Sequence, residues 1–302
     1  MIEWLLSRPL NEYLAVANVI GVLLGFVGLA ALLIWVERRL LGIWQDRWGP
    51  NRIGPLGLGQ VVADMIKIFF KEDWIPPFAE KGPFIIAPMI LMSTLLIACA
   101  VVPIAPGVGV IDMNIGLMFY LAVTSLGVYS IMLGGWSSNN KYSLLGGVRS
   151  SAQMITYEVF MGMSLLGVVI LAGTFDLRKI VEAQTDIWYV FLNPIGFLVF
   201  FLAGIAETHR APLDLPEADQ ELAAGFHTEY SGMKFGMFFV GEYVGVILVC
   251  AMLTTLFFGG WHGPGPDTWW MGIFWFVFKT MMFIFTYILM RSNIPRPRYD
   301  QL

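Results

Sequence analysis

The chain contains few charged residues and almost no cysteine. Only 13% of its 302 residues are charged, against about a quarter in an average soluble domain, whereas 57% are hydrophobic. This composition is typical of a protein that lies in a lipid bilayer. The two cysteines, Cys99 and Cys250, lie far apart within apolar runs, and no Cys/His cluster accompanies them. Because metal and iron–sulfur sites need several ligands at short spacing, we predict no metal and no redox centre bound by this chain.

Other absences restrict the class of protein. No basic cluster of the kind that binds nucleic acid is present, and no internal repeat is visible, which weakens the case for an inverted-repeat transporter. The first apolar run is too long for the core of a signal peptide and has no cleavage-site pattern, so we interpret it as a retained membrane span. We therefore expect residues 1–302 to form one integral membrane domain.

Seven apolar runs are long enough to cross a hydrocarbon core about 30 Å thick. They lie at about Leu14–Val36, Phe84–Ile104, Ile115–Trp136, Val148–Ala172, Val190–Ala206, Phe235–Phe258 and Trp269–Met290. The predicted fold is therefore an all-α, polytopic bundle of seven transmembrane helices. Lysine and arginine are concentrated in alternate segments between these runs, and the positive-inside rule then places the amino terminus on the outer side of the membrane.

The segment between the fifth and sixth runs, residues 207–229, is acidic and is predicted to be cytoplasmic. Against a single arginine, Arg210, it carries the carboxylates Glu207, Asp214, Glu217, Asp219, Glu221 and Glu229. Because a carboxylate close to lipid is costly to keep ionised, such a cluster indicates proton handling. A local alternative covers two of them, since Asp214 and Glu217, on either side of Pro216, fit the start of a helix. Glu221 follows Glu217 by one helical turn, and such a pair tends to share a proton.

Three ionisable residues lie within or at the edge of apolar runs: Glu158, Glu242 and Lys279. Charges inside a membrane are rare and usually functional, so together with the acidic segment they suggest a proton path. Pairing or hydrogen bonding between helices is the structural alternative. His209 and His227 border the acidic segment without the spacing of metal ligands, so we interpret them as polar partners rather than a metal site.

Two features near the first span suggest a polar opening at the membrane surface. An acid and two arginines, Glu37, Arg38 and Arg39, follow the first apolar run, where a simple phosphate anchor is the alternative interpretation. The residues at about 58–71 place Asp64 and Lys67 on one side of a helix and apolar side chains on the other. This pattern predicts an amphipathic helix at the interface, which is either a surface anchor or the frame of an opening for a lipid-soluble molecule.

Five long strings of residues resemble one known family. They read VERRLLGIWQDRWGPNRIGP, ADMIKIFFKEDWIP, GGWSSNNKYSLLGGVRSSAQMITYEV, AETHRAPLDLPEADQELAAGFHTEYSGMKFGMFFVGEY and RSNIPRPRYDQL. These strings are similar to the family of the H subunit of NADH-quinone oxidoreductase, which is membrane subunit 1 of respiratory complex I. The amino-acid sequences of these strings are closer to those of bacterial members of the family than to those of animal mitochondrial members. The resemblance therefore implies the bacterial inner membrane, with a periplasmic amino terminus.

The resemblance also implies a role. In this family the protein forms the membrane part of the quinone chamber, including its entrance, at the elbow between the hydrophilic arm and the proton-pumping membrane arm. Quinone is then the substrate, while NADH, FMN and the iron–sulfur clusters belong to partner subunits. No catalytic residue and no activity of this chain alone are expected. The implied partners are the catalytic quinone-site and iron–sulfur subunits of the hydrophilic arm, the small membrane-arm subunits and the lipid bilayer.

The site residues follow from the matching positions together with the intramembrane charges. Those expected to bind quinone are Glu37, Arg38, Arg39, Asp64, Lys67, Phe239 and Arg291. Those expected to couple quinone reduction to proton translocation are Glu158, Glu207, Asp214, Glu217, Glu221, Glu229, Glu242 and Lys279.

The chain departs from the family pattern in a few places. His209 stands where asparagine is common, Leu213 where phenylalanine is common and Asp219 where glutamate is common, and these changes leave the row of carboxylates complete. The family normally continues past the final Leu302 into an eighth apolar helix, which we expect to be missing from this sequence rather than from the protein. The residues alone leave other classes open: an ion or proton/cation exchanger without redox partners, a purely structural anchor, or the related subunit of a membrane-bound hydrogenase.

Overall fold

Helices make up the computed structural model, which describes residues 10–214, 222–265 and 269–297. In chain order they are α1 (Leu10–Trp44), α2 (Gly59–Phe70), α3 (Lys81–Cys99), α4 (Gly116–Ser137), α5 (Lys141–Ala172), α6 (Leu177–Glu182), α7 (Tyr189–Leu192), α8 (Pro194–Glu207), α9 (Gly232–Phe257) and α10 (Trp269–Asn293). Two short 3-10 turns lie at Pro55–Gly57 and Gly225–His227. Within the described ranges the only β-type pairing is an isolated bridge between Ala105 and Val108. The prediction of an all-α fold is confirmed.

Six helices in the described ranges are long and apolar enough to cross a membrane: α1, α3, α4, α5, α9 and α10. The remaining predicted span, at about Val190–Ala206, is divided between α7 and α8. The break falls at Asn193 and Pro194 because proline has no amide hydrogen, and the Asn193 side chain accepts a hydrogen bond from the Gly196 amide where α8 begins. The 14 residues of α8 extend about 21 Å at 1.5 Å per residue, which is less than the full hydrocarbon core.

The interfacial helix predicted at about 58–71 corresponds to α2. None of its residues is fully buried, and Val62, Ile66, Phe69 and Phe70 each expose more than half of their surface. Its other side packs against α1 and α9. Because its 12 residues are too few to cross a bilayer, α2 is an amphipathic element on the surface of the bundle rather than a further span.

The central helix of the bundle is α9. It packs against α1, α3, α8 and α10, and every residue from Val244 to Phe257 is buried. Glycine allows α9 to approach α3 closely, since a Cβ added at Gly241 would lie 3.1 Å from a methyl group of Leu91. Lipid tails are as apolar as leucine, so close packing of this kind, rather than burial alone, holds transmembrane helices together.

Pro88 explains how the end of the acidic segment is attached to α3. A proline inside a helix has no amide hydrogen, so the carbonyl oxygen four residues earlier, on Phe84, lacks its helical partner. The Tyr230 hydroxyl donates to that oxygen at 3.2 Å, and the rings of Phe84 and Tyr230 stack with centroids 4.1 Å apart. The acidic segment therefore ends at a fixed contact with the bundle.

A glycine contact joins α5 to the segment that precedes α9. A Cβ added at Gly146 would lie 2.6 Å from the Cα of Gly225. We expect Gly146→Ala to push the two backbones apart and to destabilise the protein by about 1–3 kcal/mol, the usual cost of overpacking. The measurement is the thermal unfolding temperature of the purified complex.

Gly162→Ala is the matched control on the same helix. An added Cβ there meets nothing within 4 Å, and alanine favours a helix over glycine. Unfolding at the same temperature in the Gly146 variant and the wild type would contradict the predicted clash.

The charged segments meet at one end of the bundle, here called the charged end. Contacts between them are Glu37 with Arg291, Asp73 with Lys234, Glu80 with Ser137 and Asn140 with Glu229. These contacts connect the end of α1 with the end of α10, the start of α3 with the end of α4, and the residues after α2 and before α5 with those around α9. The candidate site lies at this end.

Candidate functional site

A cavity of about 440 Å³ lies at the charged end, between α1, α9, α10 and the loop after α8. We call it the polar cavity. Its titratable lining residues are Glu37, Arg38, His209, Arg210, Asp214, His227, Glu242, Tyr243 and Arg291. Phe235, Phe238 and Phe239 form much of the remaining wall. The structure therefore brings together residues that the sequence assigned to two different roles, quinone binding and proton coupling.

The Glu37 carboxylate is buried in this cavity, with 4% of the residue exposed. It forms ion pairs with Arg210, at 3.4 Å, and with Arg291. A buried charge is costly unless opposite charges and hydrogen bonds compensate it. Two guanidinium groups on one carboxylate provide that compensation, and they join α1 to α10 and to the loop after α8.

Arg210 is absent from the predicted site residues but lies at the centre of the site. Only 12% of its side chain is exposed, and its Cζ lies 4.1 Å from the centroid of the Tyr243 ring. Burial alone lowers the pKa of the guanidinium, but Glu37, with smaller contributions from Tyr243 and Glu242, raises that pKa above its usual range. Arg210 is therefore a permanent cation. The signal in the sequence is its position as the lone base in an acidic segment.

A second cavity, of about 430 Å³, lies between α1, α2, α3 and α9. We call it the apolar cavity because its wall consists mostly of aliphatic, aromatic and methionine side chains, including Val27, Ala31, Ile34, Met65, Ile68, Met92, Met237 and Val240. Asp64 and Lys67 of α2 also line it. Arg38, Phe235 and Phe239 line both cavities, so the apolar and polar cavities adjoin at these residues.

Arg38 connects this junction to α2. Its Nη1 donates to Asp64 Oδ2 at 2.6 Å, and Gln60 Nε2 donates to Asp64 Oδ1 at 2.8 Å. The Arg38 side chain remains 47% exposed, so solvent screens the ion pair and its contribution to stability is below about 1 kcal/mol. Arg39 lines neither cavity and donates instead to the Pro50 carbonyl oxygen at 3.2 Å. Its assignment to quinone binding stays a prediction.

A third cavity, of about 60 Å³, adjoins the polar cavity, since His209 and Glu242 line both. Glu207 and Tyr120 also line this small cavity, and Glu207 Oε2 and the Tyr120 hydroxyl are buried with no hydrogen-bond partner within the described ranges. A space of this volume has room for a few water molecules, and although most of its wall is apolar, Glu207 and the Tyr120 hydroxyl supply hydrogen-bond partners for them. Glu158 interacts electrostatically with Glu207. Two of the predicted acids, Glu207 and Glu242, thus line this small cavity together, and a third, Glu158, interacts with Glu207.

Other predicted acids have structural partners. Asp214 forms an ion pair with Arg296 at 3.1 Å, and Glu229 accepts a hydrogen bond from the Asn140 side chain at 2.7 Å. These contacts attach Asp214 to the residues after α10 and the last acid of the segment to the residue that caps α5. The remaining acids of the segment lie outside the described residues: Glu217, Asp219 and Glu221. The helix start predicted at Asp214 and Glu217 also extends beyond them.

Lys279 lies apart from the acidic residues. Its ammonium group donates to the carbonyl oxygens of Phe258, Gly260 and His262 at 2.7, 3.1 and 2.5 Å, and lies 4.7 Å from the centroid of a Trp188 ring. These carbonyls follow the end of α9, where a cation is favoured by the helix dipole. The described contacts of Lys279 are therefore those of a helix cap, and its role in proton coupling stays a prediction.

His209 is buried between the polar cavity and the small cavity. Its Nε2 lies 2.5 Å from the Ser150 hydroxyl. The pKa of His209 is lowered to about 4, mainly by burial and slightly by His227, against the opposing effect of Ser150. The imidazole is therefore neutral at pH 7, where it serves as a hydrogen-bond partner of α5.

Mild acid is expected to destabilise the protein through His209. The pKa of this imidazole falls from 6.5 to about 4 on folding, so its contribution to stability is complete above pH 6.5 and is lost as the pH falls toward 4. At pH 5 the loss is about 2 kcal/mol. We expect His209→Asn to show a smaller decrease in unfolding temperature between about pH 7 and pH 5 than the wild type, as measured on the purified complex. An equal decrease in the two proteins would show that another group causes the acid sensitivity.

The fold and the site define a multi-pass membrane protein in which an apolar cavity adjoins a charged interior. The chain matches the profile of a family described as NADH dehydrogenase over residues 17–302. It is 65% identical over 288 residues to the H subunit of the NADH-quinone oxidoreductase of Methylococcus capsulatus (strain ATCC 33009 / NCIMB 11132 / Bath), an alignment that covers 95% of this chain and 90% of that protein. The chain therefore belongs to the family of this membrane subunit of NADH-quinone oxidoreductase, respiratory complex I, as the resemblance predicted.

Proposed function

We propose that this protein forms the membrane part of the quinone chamber of complex I and couples quinone reduction to proton translocation. The observation that carries the proposal is the junction of the apolar and polar cavities at Arg38 and Phe239. A quinone has an apolar isoprenoid tail and a polar head group, so its two parts require these two environments side by side.

The apolar cavity supports the role of an entrance. It lies beneath α2, the one described helix of amphipathic character beside the bundle, and its wall between α1 and α9 offers methyl, methionine and phenyl groups. A tail drawn from the bilayer exchanges one hydrocarbon environment for another, so its entry requires little desolvation. The head group would then reach Arg38 and Phe239 first.

The polar cavity supports the binding of the head group. Arg38 and Arg291 present guanidinium donors, and Glu37 fixes Arg291 in place. Quinone carbonyls accept hydrogen bonds and gain negative charge on reduction, which cations in a low-dielectric site favour. The electrons come from an iron–sulfur cluster of a partner subunit, and NADH and FMN are bound by partners as well.

A row of acids supports the coupling role. Glu242 lines both the polar and the small cavity, Glu207 lines the small cavity and Glu158 interacts with Glu207. A change of charge on the quinone would alter the protonation or hydration of these groups in turn. The acidic segment contributes Asp214, Glu217, Glu221 and Glu229 to the same response.

The proposed function also implies which subunits and which lipid environment contact the protein. The charged end would dock the catalytic quinone-site and iron–sulfur subunits of the hydrophilic arm, and the sides of the bundle would contact lipid and the small membrane-arm subunits. The charged end would then face the cytoplasm across the bacterial inner membrane, with the amino terminus in the periplasm, as the distribution of lysine and arginine predicts.

Arg38→Ala tests the chamber directly. We expect it to raise the KM for quinone about tenfold in the assembled complex, because a charged hydrogen bond to the head group contributes about 1.5–3 kcal/mol. Labelling by a photoreactive quinone analogue at α1 and α9 should fall in parallel. Unchanged KM and unchanged labelling would leave Arg38 as a lipid anchor and would contradict the chamber.

An exchanger that works without redox partners is the competing function, since Glu158, Glu207 and Glu242 lie along the bundle as such a protein would require. Reconstitution separates the two. The isolated protein in vesicles is expected to move neither protons nor cations under an imposed pH gradient. Transport by the protein alone would favour the exchanger.

A further inference from the structure

Arg210 lies between acids that face different cavities. Its Nη1 is 3.5 and 3.4 Å from the two carboxylate oxygens of Glu37, at the long end of the hydrogen-bond range. The same guanidinium interacts electrostatically with Glu242, which lines the small cavity as well as the polar cavity. Arg210 is thus a cation shared by the quinone-facing acid and Glu242, as Arg291 is to a lesser extent.

The rest of the Arg210 side chain is arranged so that it can change partners. Its Nε and Nη2 are buried without a carboxylate acceptor in the part of the chain that the structure describes, and besides Glu37 the guanidinium interacts with the Tyr243 side chain. Its guanidinium stacks on the ring of Tyr243, a contact that holds the plane of the group without fixing which carboxylate it faces. Its backbone is anchored, because the Arg210 amide donates to the Ile205 carbonyl and its carbonyl accepts from the Leu213 amide.

We propose that Arg210 is the positioning residue that transmits the charge state of the quinone cavity to Glu242. This inference rests on the proposed function. When Glu37 accepts a stronger donor from a ligand in the polar cavity or binds a proton from water there, its attraction for Arg210 weakens. Arg210 then interacts more strongly with Glu242 and stabilises the ionised form of that acid. The reverse change returns the guanidinium to Glu37.

The other arginines of the cavity are less suited to this role. Arg291 already makes the closer contact with Glu37, and 41% of its side chain is exposed, so solvent screens its effect on Glu242. Arg38 is 47% exposed and is engaged by Asp64 on α2. Arg210 combines a 12% exposed side chain with interactions with both acids, and interactions between charges are strongest in such a site.

Arg210→Gln in the assembled complex tests the inference. Two quantities are measured in membrane vesicles: the steady-state kinetics of quinone reduction, and the number of protons translocated per NADH oxidised. We expect the proton ratio to fall about threefold or more, within the usual size of coupling between two sites, while the KM for quinone stays within about twofold because Arg38 and Arg291 remain. Arg210→Lys, which keeps a cation in place, should restore at least about half of the wild-type ratio.

Arg178→Gln is the matched control. Arg178 also forms an ion pair, with Asp112 at 2.6 Å, but lies in α6, away from the cavities. It should leave both quantities unchanged. If Arg210→Gln does not assemble, Tyr243→Leu replaces it, because loss of the ring removes the support of the guanidinium without changing any charge, and the proton ratio should again fall.

An unchanged proton ratio in an assembled Arg210→Gln or Tyr243→Leu complex would overturn the inference, whether or not the KM for quinone is raised. Neither outcome bears on the quinone chamber itself, which is judged by the kinetics and labelling of Arg38→Ala. The two proposals can therefore fail separately.

Discussion

Replacing Glu37 with glutamine is expected to lower NADH-driven quinone reduction by about a hundredfold or more. The substitution removes the carboxylate that Arg210 and Arg291 share and leaves two cations close together at the end of the polar cavity. Removing one partner of a buried ion pair costs about 3–5 kcal/mol of stability. We expect the assembled complex to relieve this cost by moving the two arginines away from the quinone head group, where each ~1.4 kcal/mol of lost interaction corresponds to about a factor of ten. The measurement is quinone reductase activity per assembled complex in membranes, with assembly determined separately.

Asp112→Asn provides the comparison for Glu37→Gln. It opens an ion pair with Arg178 in which the acid is 58% exposed, and pairs of this kind contribute little because solvent screens them. We expect less than about a twofold change in activity. Activity close to that of the wild type in an assembled Glu37→Gln complex would show that the arginines hold their positions without this carboxylate.

Ala31→Trp is expected to raise the KM for a long-tailed quinone about tenfold or more, the second largest effect. Ala31 lines the apolar cavity on α1, and an indole in its place would fill much of the space between α1, α2 and α9. A tail that needs this space must displace the indole or adopt a strained path, at a cost of about 1.4 kcal/mol or more. A short-tailed analogue should be affected less than twofold, so the ratio of the two KM values measures the obstruction.

Leu32→Trp is the control for the same helix. Leu32 is adjacent in sequence but 47% exposed on the outer surface of α1, so the added indole points away from the cavity. It should leave both KM values unchanged. Equal KM increases for long-tailed and short-tailed quinones in the Ala31 variant would place the tail elsewhere.

The spans were predictable because each is a long apolar run, and apolar length is what a bilayer selects. The observed helix boundaries differ from the predicted ones where a local hydrogen bond, rather than the apolar composition, decides where a helix begins. α5 begins at Lys141 rather than near Val148 because the Asn140 side chain caps it, accepting from the Tyr142 amide. The polar residues of its first half then face inward, as Gln153 does in donating to the Ala206 and Leu213 carbonyls.

The candidate site was only partly predictable. Glu37 and Arg291 are 254 residues apart in sequence, and their assignment to one cavity followed from resemblance rather than from any pattern in the residues. An arginine among acids predicts local charge neutralisation, whereas the place of Arg210 in the site depends on its burial and on the Tyr243 ring, which only the fold brings to it. A charge within an apolar run predicts a role for Lys279 beside the acids, and no pattern in the sequence indicates the carbonyl groups that it contacts.

The proline in α3 leads to a contact that holds the residues just before α9 in place. Since the Tyr230 hydroxyl occupies the oxygen left free on Phe84, a rearrangement that starts beside Arg210 can travel along the chain only as far as this anchor before it meets α9. The start of α9 would thus keep its position beside α3 while the charged side chains near Arg210 change partners.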